Sequence, residues 1–162
     1  MKILHIIGES EYGGGTVYTF SILKRLIKEG HNVCLLTTNR ETIQEAGKLG
    51  IPVVSHIAIR REINIFQDSK ALFSLTRYIK REKYDIVHTH TSKGGFIGRI
   101  AARLAGTPKV VHTIHGFYFN KDSPLLKKLF YGGLEKIAGW FGHIMIAVNN
   151  EDREMAIKCG IV

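Results

Sequence analysis

Four histidines in the second half of the chain have the type and spacing to do chemistry. His88 and His90 alternate along one apolar stretch, and His112 and His115 follow in the next. Imidazole can bind a metal ion, transfer a proton, or hydrogen-bond a hydroxyl or phosphate oxygen. No cysteine and only scattered carboxylates accompany these histidines, so the ligands of a closed zinc site are incomplete. We therefore predict no metal site, and we expect His88 and His112 to be hydrogen-bonded core residues.

His115 differs from the other three because Gly116 follows it directly, in the sequence HGFYF. This position is typical of the tip of a strand, where a neutral imidazole can donate a hydrogen bond to a ligand hydroxyl or phosphate oxygen. We predict that His115 and Gly116 belong to a substrate site.

Three consecutive glycines, Gly13 to Gly15, precede a helical pattern that starts at Thr16. Glycine lets a ligand approach the backbone closely, and the N-terminal amides of a helix attract phosphate. The alternative is a tight turn that needs positive φ angles. The spacing matches neither the dinucleotide-binding fingerprint nor a P-loop. The loop therefore favours a phosphate-bearing ligand at residues 13–16, and it argues against NAD binding and ATP hydrolysis.

A polar stretch, HTHTSKGG, ends another apolar strand pattern and leads into a helix that we predict to begin at Gly94. Ser92 and Lys93 can bind anionic or hydroxyl-rich groups. The alternative is a solvent-facing helix cap with Ser92 as the N-cap residue. We predict that His90, Ser92, Lys93 and Gly94 contact substrate.

These residues must be positioned by alternating strands and helices. Runs of apolar residues predict six strands, and apolar residues spaced three and four positions apart predict six helices. The strands are 2–7, 31–38, 51–56, 84–90, 108–115 and 143–149, and the helices are 16–29, 40–49, 67–82, 94–105, 123–139 and 150–158. This alternation is typical of an α/β fold, a Rossmann-like doubly wound parallel sheet with helices on both faces. Such sheets bind ligands at the carboxyl ends of their strands, where GESEYGGG, HTHTSKGG, HGFYF and NNED all fall.

Two segments fit this scheme less well. Residues 56–66, HIAIRREINIF, match no regular element and suggest a mobile surface loop. The helix at 123–139 has an apolar side, which we interpret as packed against the core. Its alternative is a helix on a membrane surface, because Trp140 and Phe141 follow it.

The composition limits the class of protein. With 162 residues, 44% of them hydrophobic, the chain fits one globular domain. No apolar run is long enough to span a membrane, and no signal-peptide cleavage site follows the N-terminus. Two distant cysteines, Cys34 and Cys159, fit a reduced cytoplasmic setting. The net charge of +9 suits nucleic acid, anionic lipid or phosphorylated molecules, but the sequence contains no nucleic-acid-binding module, so nucleic acid is disfavoured.

Two long stretches of the sequence resemble a known family. Residues 3–37, ILHIIGESEYGGGTVYTFSILKRLIKEGHNVCLLT, are similar to the opening of a family 4 glycosyltransferase with the GT-B fold. Residues 85–119, DIVHTHTSKGGFIGRIAARLAGTPKVVHTIHGFYF, are similar to the middle of its N-terminal half, in members that build bacterial capsule, exopolysaccharide or other surface glycans. The resemblance implies a retaining transfer of a sugar from a nucleotide-sugar donor to a glycan or lipid-linked acceptor, with no metal and no cofactor.

The resemblance also implies roles for the candidate residues. Gly13 to Gly15 match the loop that approaches the donor phosphates, and His115 matches the histidine that contacts the donor sugar near the transfer centre. We therefore predict His115 as the catalytic residue. Ser92 and Lys93 are expected to line the cleft beside it.

Members of this family are much longer than this chain, and their C-terminal domain holds most of the nucleotide. We expect residues 1–162 to be a single N-terminal, acceptor-side domain that lacks the C-terminal donor-binding domain and transfers little or no sugar alone. The basic charge suggests a peripheral contact with an anionic membrane or with the acceptor, for which we predict Arg60, Arg61, Lys80 and Arg81. The alternative function is a stand-alone, non-catalytic module that binds a phosphorylated metabolite.

Overall fold

A parallel sheet organises the chain in the computed structural model, which describes residues 1–119 and 122–161. Six strands lie in the order β3-β2-β1-β4-β5-β6, and each pairing of neighbours is parallel. The strands are β1 (Lys2–Gly8), β2 (Asn32–Thr37), β3 (Val53–Val54), β4 (Ile86–Thr89), β5 (Lys109–Ile114) and β6 (Ile144–Ala147). The helices are α1 (Gly14–Lys28), α2 (Arg40–Lys48), α3 (Ile65–Glu82), α4 (Ser92–Leu104), α5 (Leu125–Gly139) and α6 (Asn150–Lys158). The strand order reverses between β1 and β4, so the predicted doubly wound sheet is confirmed.

Apolar side chains cover both faces of this sheet. On one face, Leu4 of β1 belongs to a buried cluster with Leu75 of α3. On the other face, Ile3 belongs to a buried cluster with Phe20 of α1. Because side chains alternate along a strand, odd-numbered positions of β1 face α1 and even-numbered positions face α3 and α4. This alternation decides which polar residues of the strands can meet beneath each helix.

Helix α4 lies close against the sheet at three positions where the helix itself has no side chain, Gly94, Gly95 and Gly98. An added Cβ atom would lie 2.9 Å from the carbonyl oxygen of Ile7 at Gly94, 2.4 Å from Cε1 of His112 at Gly95, and 2.6 Å from Cγ2 of Thr89 at Gly98. All three distances are shorter than ordinary van der Waals contact, so only glycine fits. The glycines of this helix therefore serve close packing on β1, β4 and β5.

The start of α4 differs from the prediction. The helix begins at Ser92, two residues earlier than predicted, and Thr91 precedes it with a φ angle of 58°. The Thr91 hydroxyl donates a hydrogen bond to the carbonyl oxygen of Ile7, at 2.8 Å, instead of capping the helix. The alternative, with Ser92 as the N-cap residue, is excluded, because Ser92 is already the first residue of the helix and Thr91 precedes it.

The apolar side of α5 that was predicted to pack against the core is exposed, so that prediction was wrong. Among its described residues only Glu135 and Ala138 are buried, whereas Leu126 and Leu129 are 82% and 63% exposed. The apolar side of α5 therefore faces outward. No helix within the described residues is long and apolar enough to cross a membrane.

One ion pair ties α5 to the rest of the fold. The Arg99 side chain is fully buried, and its Nη2 donates to Oε2 of Glu135 at 2.6 Å. Its Nε donates to the carbonyl oxygen of Gly95 at 3.0 Å. Because an unpaired charge at such depth is strongly destabilising, this contact fixes α5 against α4.

The segment 56–66 is anchored over its first half, so the prediction of a mobile loop was wrong there. Ile57 and Ile59 are buried in the core, and the backbone amide of Glu9 donates to the carbonyl oxygen of Ile59 at 2.9 Å. Its second half is exposed up to Phe66, which lies in the first turn of α3. The anchored half holds the following residues beside the loop after β1.

The close packing of α4 predicts opposite effects for two glycine substitutions. Gly95→Ala places a methyl group against His112, and we expect it to destabilise the fold by about 1–3 kcal/mol or more. Gly47→Ala, in the exposed helix α2, meets no atom within 4 Å. It should stabilise by about 0.5–1 kcal/mol, because alanine favours the helix. Urea unfolding followed by circular dichroism measures both, and equal stability of the two variants would contradict the packing argument.

Candidate functional site

The carboxyl ends of β1, β4 and β5 open into one cavity of about 360 Å³. It contains most of the predicted substrate residues, which come from three separate loops. These are Gly13, Gly14, Gly15, Thr16, His90, Ser92, His115 and Gly116. The convergence of these loops on one edge follows from the parallel sheet, and we call this cavity the glycine cleft.

The glycine loop in this cleft is not a turn that needs positive φ angles. None of Gly13, Gly14 and Gly15 has a positive φ, and Gly14 begins α1. An added Cβ atom would meet open space at Gly13 and Gly14, but at Gly15 it would lie 3.2 Å from Cγ of His115. The first amides of a helix have no partner within it, and no acidic residue occupies the first turn of α1. The start of α1 therefore suits a negatively charged oxygen.

Lys93 and Gly94 do not line the glycine cleft. They border a neighbouring cavity of about 210 Å³, together with Arg60 and Arg61. Lys93 Nζ lies 2.8 Å from Oδ1 of Asp68 and also donates to the carbonyl oxygen of Glu62. The positive charge of Lys93 is thus already paired, which limits what it can offer to an anionic ligand.

The four predicted membrane or acceptor contacts are split between opposite edges of the sheet. Arg60 and Arg61 lie at the carboxyl edge beside the candidate site. Lys80 and Arg81 lie in the last turn of α3, next to Glu82, which pairs with Lys2 at the amino end of β1. A single contact surface at the cleft therefore cannot include Lys80 and Arg81, and the contact of each pair with a membrane or acceptor stays a prediction.

A row of hydrogen-bonded histidines runs from the middle of the sheet to the cleft. His5 Nδ1 lies 3.1 Å from His90 Nε2, and His90 Nδ1 lies 3.2 Å from His115 Nε2. His88 stacks against His90, with ring centroids 4.4 Å apart, and its Nε2 lies 2.8 Å from Oγ1 of Thr113. All of these rings lie on the face that α1 covers.

The opposite face holds His112, whose Nδ1 lies 2.9 Å from Oγ1 of Thr89. Both His88 and His112 are buried and hydrogen-bonded, as predicted. His5 was missed by the sequence analysis, because a lone histidine in the apolar run KILHII gives no sign of a partner. The signal that could have found it is its pairing with His88 in the register of β1 and β4.

Burial keeps these histidines neutral. It lowers the pKa of His5, His90 and His112 well below the ordinary value, and neighbouring histidines lower the first two further. Burial also lowers the pKa of His88, to about 4. At the cleft, burial lowers the pKa of His115 and outweighs the opposing effect of Asp152. A neutral ring carries one N–H donor and one acceptor nitrogen, so each can link two neighbours.

The same rings are the nearest approach to a metal site within the described residues. One nitrogen from each of His5, His88 and His90 lies within 4.8 Å of the others. However, His5 Nδ1 and His90 Nε2 lie 3.1 Å apart in a hydrogen bond, so one of the two carries a proton and only the other is a free ligand nitrogen. A tetrahedral zinc ion needs three such nitrogens at about 2.0–2.1 Å. The absence of a metal site stays a prediction.

A second and larger cavity, of about 600 Å³, lies between α3, α4 and α5. Its wall is largely apolar, and Lys93, Asp68 and Arg61 stand at its polar side. The apolar lining includes Ile63, Phe96, Ile97, Tyr118, Phe130 and Leu134. The sequence analysis missed this cavity, because it assigned the apolar side of α5 to the core.

The model of the family described as Glycosyltransferase Family 4 matches residues 12–162, which include the glycine loop, the row of histidines from His88 onward and α5. The chain belongs to this family. Family 4 membership confirms the recognition made from the two quoted stretches, and it places the glycine cleft in the part of the chain that the family shares.

Two curated relatives act on lipid-linked sugars, according to their names. Residues of this chain are 52% identical over 98 positions to UDP-Gal:α-D-GlcNAc-diphosphoundecaprenol α-1,3-galactosyltransferase of Escherichia coli, a match covering 60% of this chain and 25% of that protein. They are 26% identical over 161 positions to N,N'-diacetylbacillosaminyl-diphospho-undecaprenol α-1,3-N-acetylgalactosaminyltransferase of Campylobacter jejuni, covering 96% of this chain and 43% of the relative. The chain spans less than half the length of these two proteins.

Solved structures show the same architecture. HepE of Anabaena, in complex with UDP and glucose, superimposes with a TM-score of 0.75 at 18% identity, over 99% of this chain and 41% of its own. MurG of Acinetobacter baumannii superimposes with a TM-score of 0.68 at 20% identity, over 93% of this chain and 42% of its own. At these identities the likeness shows the fold, and it confirms the Rossmann-like half of a GT-B fold predicted from the sequence.

The buried histidines predict that the family 4 chain loses stability in mild acid. Since the pKa of each is lower in the folded than in the unfolded protein, the unfolded chain takes up protons first. The free energy of unfolding should therefore be constant above about pH 7 and fall below about pH 6.5, by up to ~1.4 kcal/mol per pH unit for each histidine. For His88 this loss continues down to its folded pKa of about 4.

Urea unfolding at pH 7.5, 6.5 and 5.5 measures this dependence. His88→Gln should reduce the slope, whereas His56→Gln, at an exposed position outside the row, should leave it unchanged. A free energy of unfolding that does not change between pH 7.5 and 5.5 would show that the buried rings are not neutral.

Proposed function

We propose that the chain forms the N-terminal, acceptor-side half of the active cleft of a retaining glycosyltransferase. It moves a hexosyl-type sugar from a nucleotide-sugar donor to a glycan or lipid-linked acceptor in the biosynthesis of surface polysaccharide. The observation that carries this proposal is the glycine cleft, where the free amides at the start of α1 stand beside His115. Membership of family 4 supports it.

The donor is bound by its phosphates and its sugar at two adjacent points. Amides of residues 14–16 at the start of α1 bind diphosphate oxygens, which carry the charge that grows as the bond to the sugar breaks. His115, in contact with Gly15, binds the sugar beside that bond. Its neutral ring suits a hydrogen bond to a sugar hydroxyl, and no metal ion or cofactor takes part.

The acceptor approaches from the side of the larger apolar cavity. Two relatives are named for acceptors built on undecaprenyl diphosphate, which joins an apolar chain to an anionic head. The larger cavity has an apolar wall and a polar side at Arg61, and it adjoins the neighbouring cavity that Lys93 and Gly94 also line. The exposed apolar side of α5, with Leu126 and Leu129, extends this surface toward a membrane. The chain thus works at the cytoplasmic face of an anionic membrane, as a peripheral protein.

Transfer needs a second domain that binds the nucleotide, so residues 1–162 alone transfer little or no sugar. The glycine cleft offers backbone amides and His115 for the phosphates and the sugar of the donor. Catalysis depends on holding donor and acceptor in one geometry, which one half of a cleft cannot do.

Loss of His115 should abolish most of the transfer. In membranes that contain the full-length protein, we measure transfer of a labelled sugar from the preferred nucleotide sugar. We expect His115→Ala to lower this rate at least ~100-fold, because the hydrogen bond from the imidazole to the reacting sugar is removed. His56→Ala, far from the cleft, is the matched control. Addition of EDTA should not change the rate.

Three results of this assay would contradict the proposal. Equal transfer by His115→Ala and the unchanged protein would remove His115 from the reaction. Robust transfer by residues 1–162 alone would remove the need for a second domain. No transfer by any form, with a phosphorylated ligand still bound at the glycine cleft, would identify a non-catalytic binding module.

Contact with an anionic membrane should depend on the carboxyl edge of the sheet and not on its amino edge. Neutralising Arg60 and Arg61 to serine should weaken binding to vesicles that contain phosphatidylglycerol by about fivefold per charge at low salt, and the effect should shrink as salt rises. The matched control is Lys80→Ser with Arg81→Ser, which removes the same charge from the opposite edge. Vesicle co-sedimentation measures both, and equal losses for the two pairs would show that net charge alone governs binding.

A further inference from the structure

His5, His90 and His115 form a row in which one proton position fixes all the others. His90 uses both ring nitrogens, with Nε2 at 3.1 Å from His5 and Nδ1 at 3.2 Å from His115. A neutral imidazole has one N–H group and one acceptor nitrogen. The N–H groups of the row must therefore all point outward to the cleft or all point inward to the core.

Thr19 of α1 decides between these two directions. Its hydroxyl donates to the carbonyl oxygen of Gly15 at 2.8 Å, which uses its only proton. The same oxygen lies 3.4 Å from His90 Nδ1, and with its proton committed it can only accept there. If His90 carries its proton on Nδ1, this N–H group can donate to both His115 Nε2 and the Thr19 hydroxyl oxygen. The longer distance, to Thr19, then belongs to the weaker of the two acceptors in a three-centre hydrogen bond.

The inner end of the row agrees with this direction. If His90 carries its proton on Nδ1, its Nε2 must accept from Nδ1–H of His5. The remaining His5 nitrogen, Nε2, is buried without a partner among the described residues. In this direction it is a bare acceptor, whereas the opposite direction leaves a buried N–H donor unsatisfied. Among backbone groups a buried unpaired N–H is the rarer of the two.

The geometry points to a new role for His5, Thr19 and His90: they are positioning residues that hold His115 as the tautomer with its proton on Nδ1. The Nε2 lone pair of His115 then faces inward to His90, and Nδ1–H is the group left for a ligand. Nδ1 lies at the glycine loop, 3.5 Å from a Cβ atom added to Gly15. His115 is therefore a hydrogen-bond donor to a ligand oxygen and does not serve as a general base in the cleft.

The assignment of the His115 N–H group as a hydrogen-bond donor to the ligand rests on the proposed function. The tautomer itself can be measured without sugar transfer. In the intact chain labelled with ¹⁵N-histidine, long-range ¹H–¹⁵N correlation spectra at pH 7.5 distinguish a protonated from a bare ring nitrogen. We expect His115, His90 and His5 each to carry the proton on Nδ1. A proton on Nε2 of His115, or a doubly protonated ring, would overturn the inference.

Two substitutions at Thr19 test the cause of the preference. Thr19→Val keeps the shape but removes the acceptor, and we expect the His115 signal to shift from a single tautomer toward a mixture of both, in which the unpaired Nε2 of His5 still favours the proton on Nδ1. Thr19→Ser keeps the hydroxyl and should keep the single tautomer. An unchanged His115 tautomer in a folded Thr19→Val chain would contradict the role of Thr19, and if that variant does not fold, the spectrum of the unchanged chain still decides the tautomer.

The outcomes separate this inference from the proposed function. A His115 with its proton on Nδ1, in a protein that transfers no sugar, would support the positioning row and contradict the glycosyltransferase proposal. Transfer that depends on His115 while its proton is on Nε2 would support the transferase and overturn the row. In Thr19→Val full-length protein, transfer should fall by the fraction of the Nδ1–H tautomer that the spectrum shows to be lost.

Discussion

The rest of the structure depends on how closely α4 lies on the sheet. Three positions on its inner side, Gly94, Gly95 and Gly98, leave no room for even a methyl group against β1, β4 and β5. Dense packing of this kind cannot deform gradually, so the helix has one place to lie. The position of α4 determines where the chain turns after β4, and the hydrogen bond from Thr91 to Ile7 stabilises this turn.

The site follows from this packing through the two faces of the sheet. On the face that α4 covers, Gly95 leaves the space that the His112 ring occupies. On the other face, α1 begins with two glycines, and the His115 ring fills the space beside Gly15. The glycines on the two faces thus have different roles. Those of α4 allow the helix to pack closely on the strands, and those of α1 leave backbone amides accessible beside the His115 imidazole.

Much of this could be predicted from the sequence, because apolar periodicity reports the elements and a parallel sheet gathers its carboxyl ends on one edge. The glycine loop, His90 and His115 were placed correctly on that basis. Whether the apolar face of α5 packs against the core or is exposed could not be predicted, because the spacing of Leu126 and Leu129 is the same in both cases. Lys80 and Arg81 were grouped with Arg60 and Arg61 by charge, whereas the direction of α3 carries them to the other edge. His5 and the pairing of Lys93 with Asp68 depend on contacts between distant segments, which local patterns do not encode.

The strand order also determines when the site can form during synthesis. β1 is made first and can pair early with β2, but its other edge waits for β4, since Ile3 lies opposite Ile86. His5 meets His90 only after that pairing, and His115 is added later still, with β5. Pairings between distant segments form slowly, and until they form the apolar edge of β1 has no partner. The nascent chain therefore carries its central strand unpaired on one side until β4 has been made, and the cleft is completed only when the residues after β5 follow.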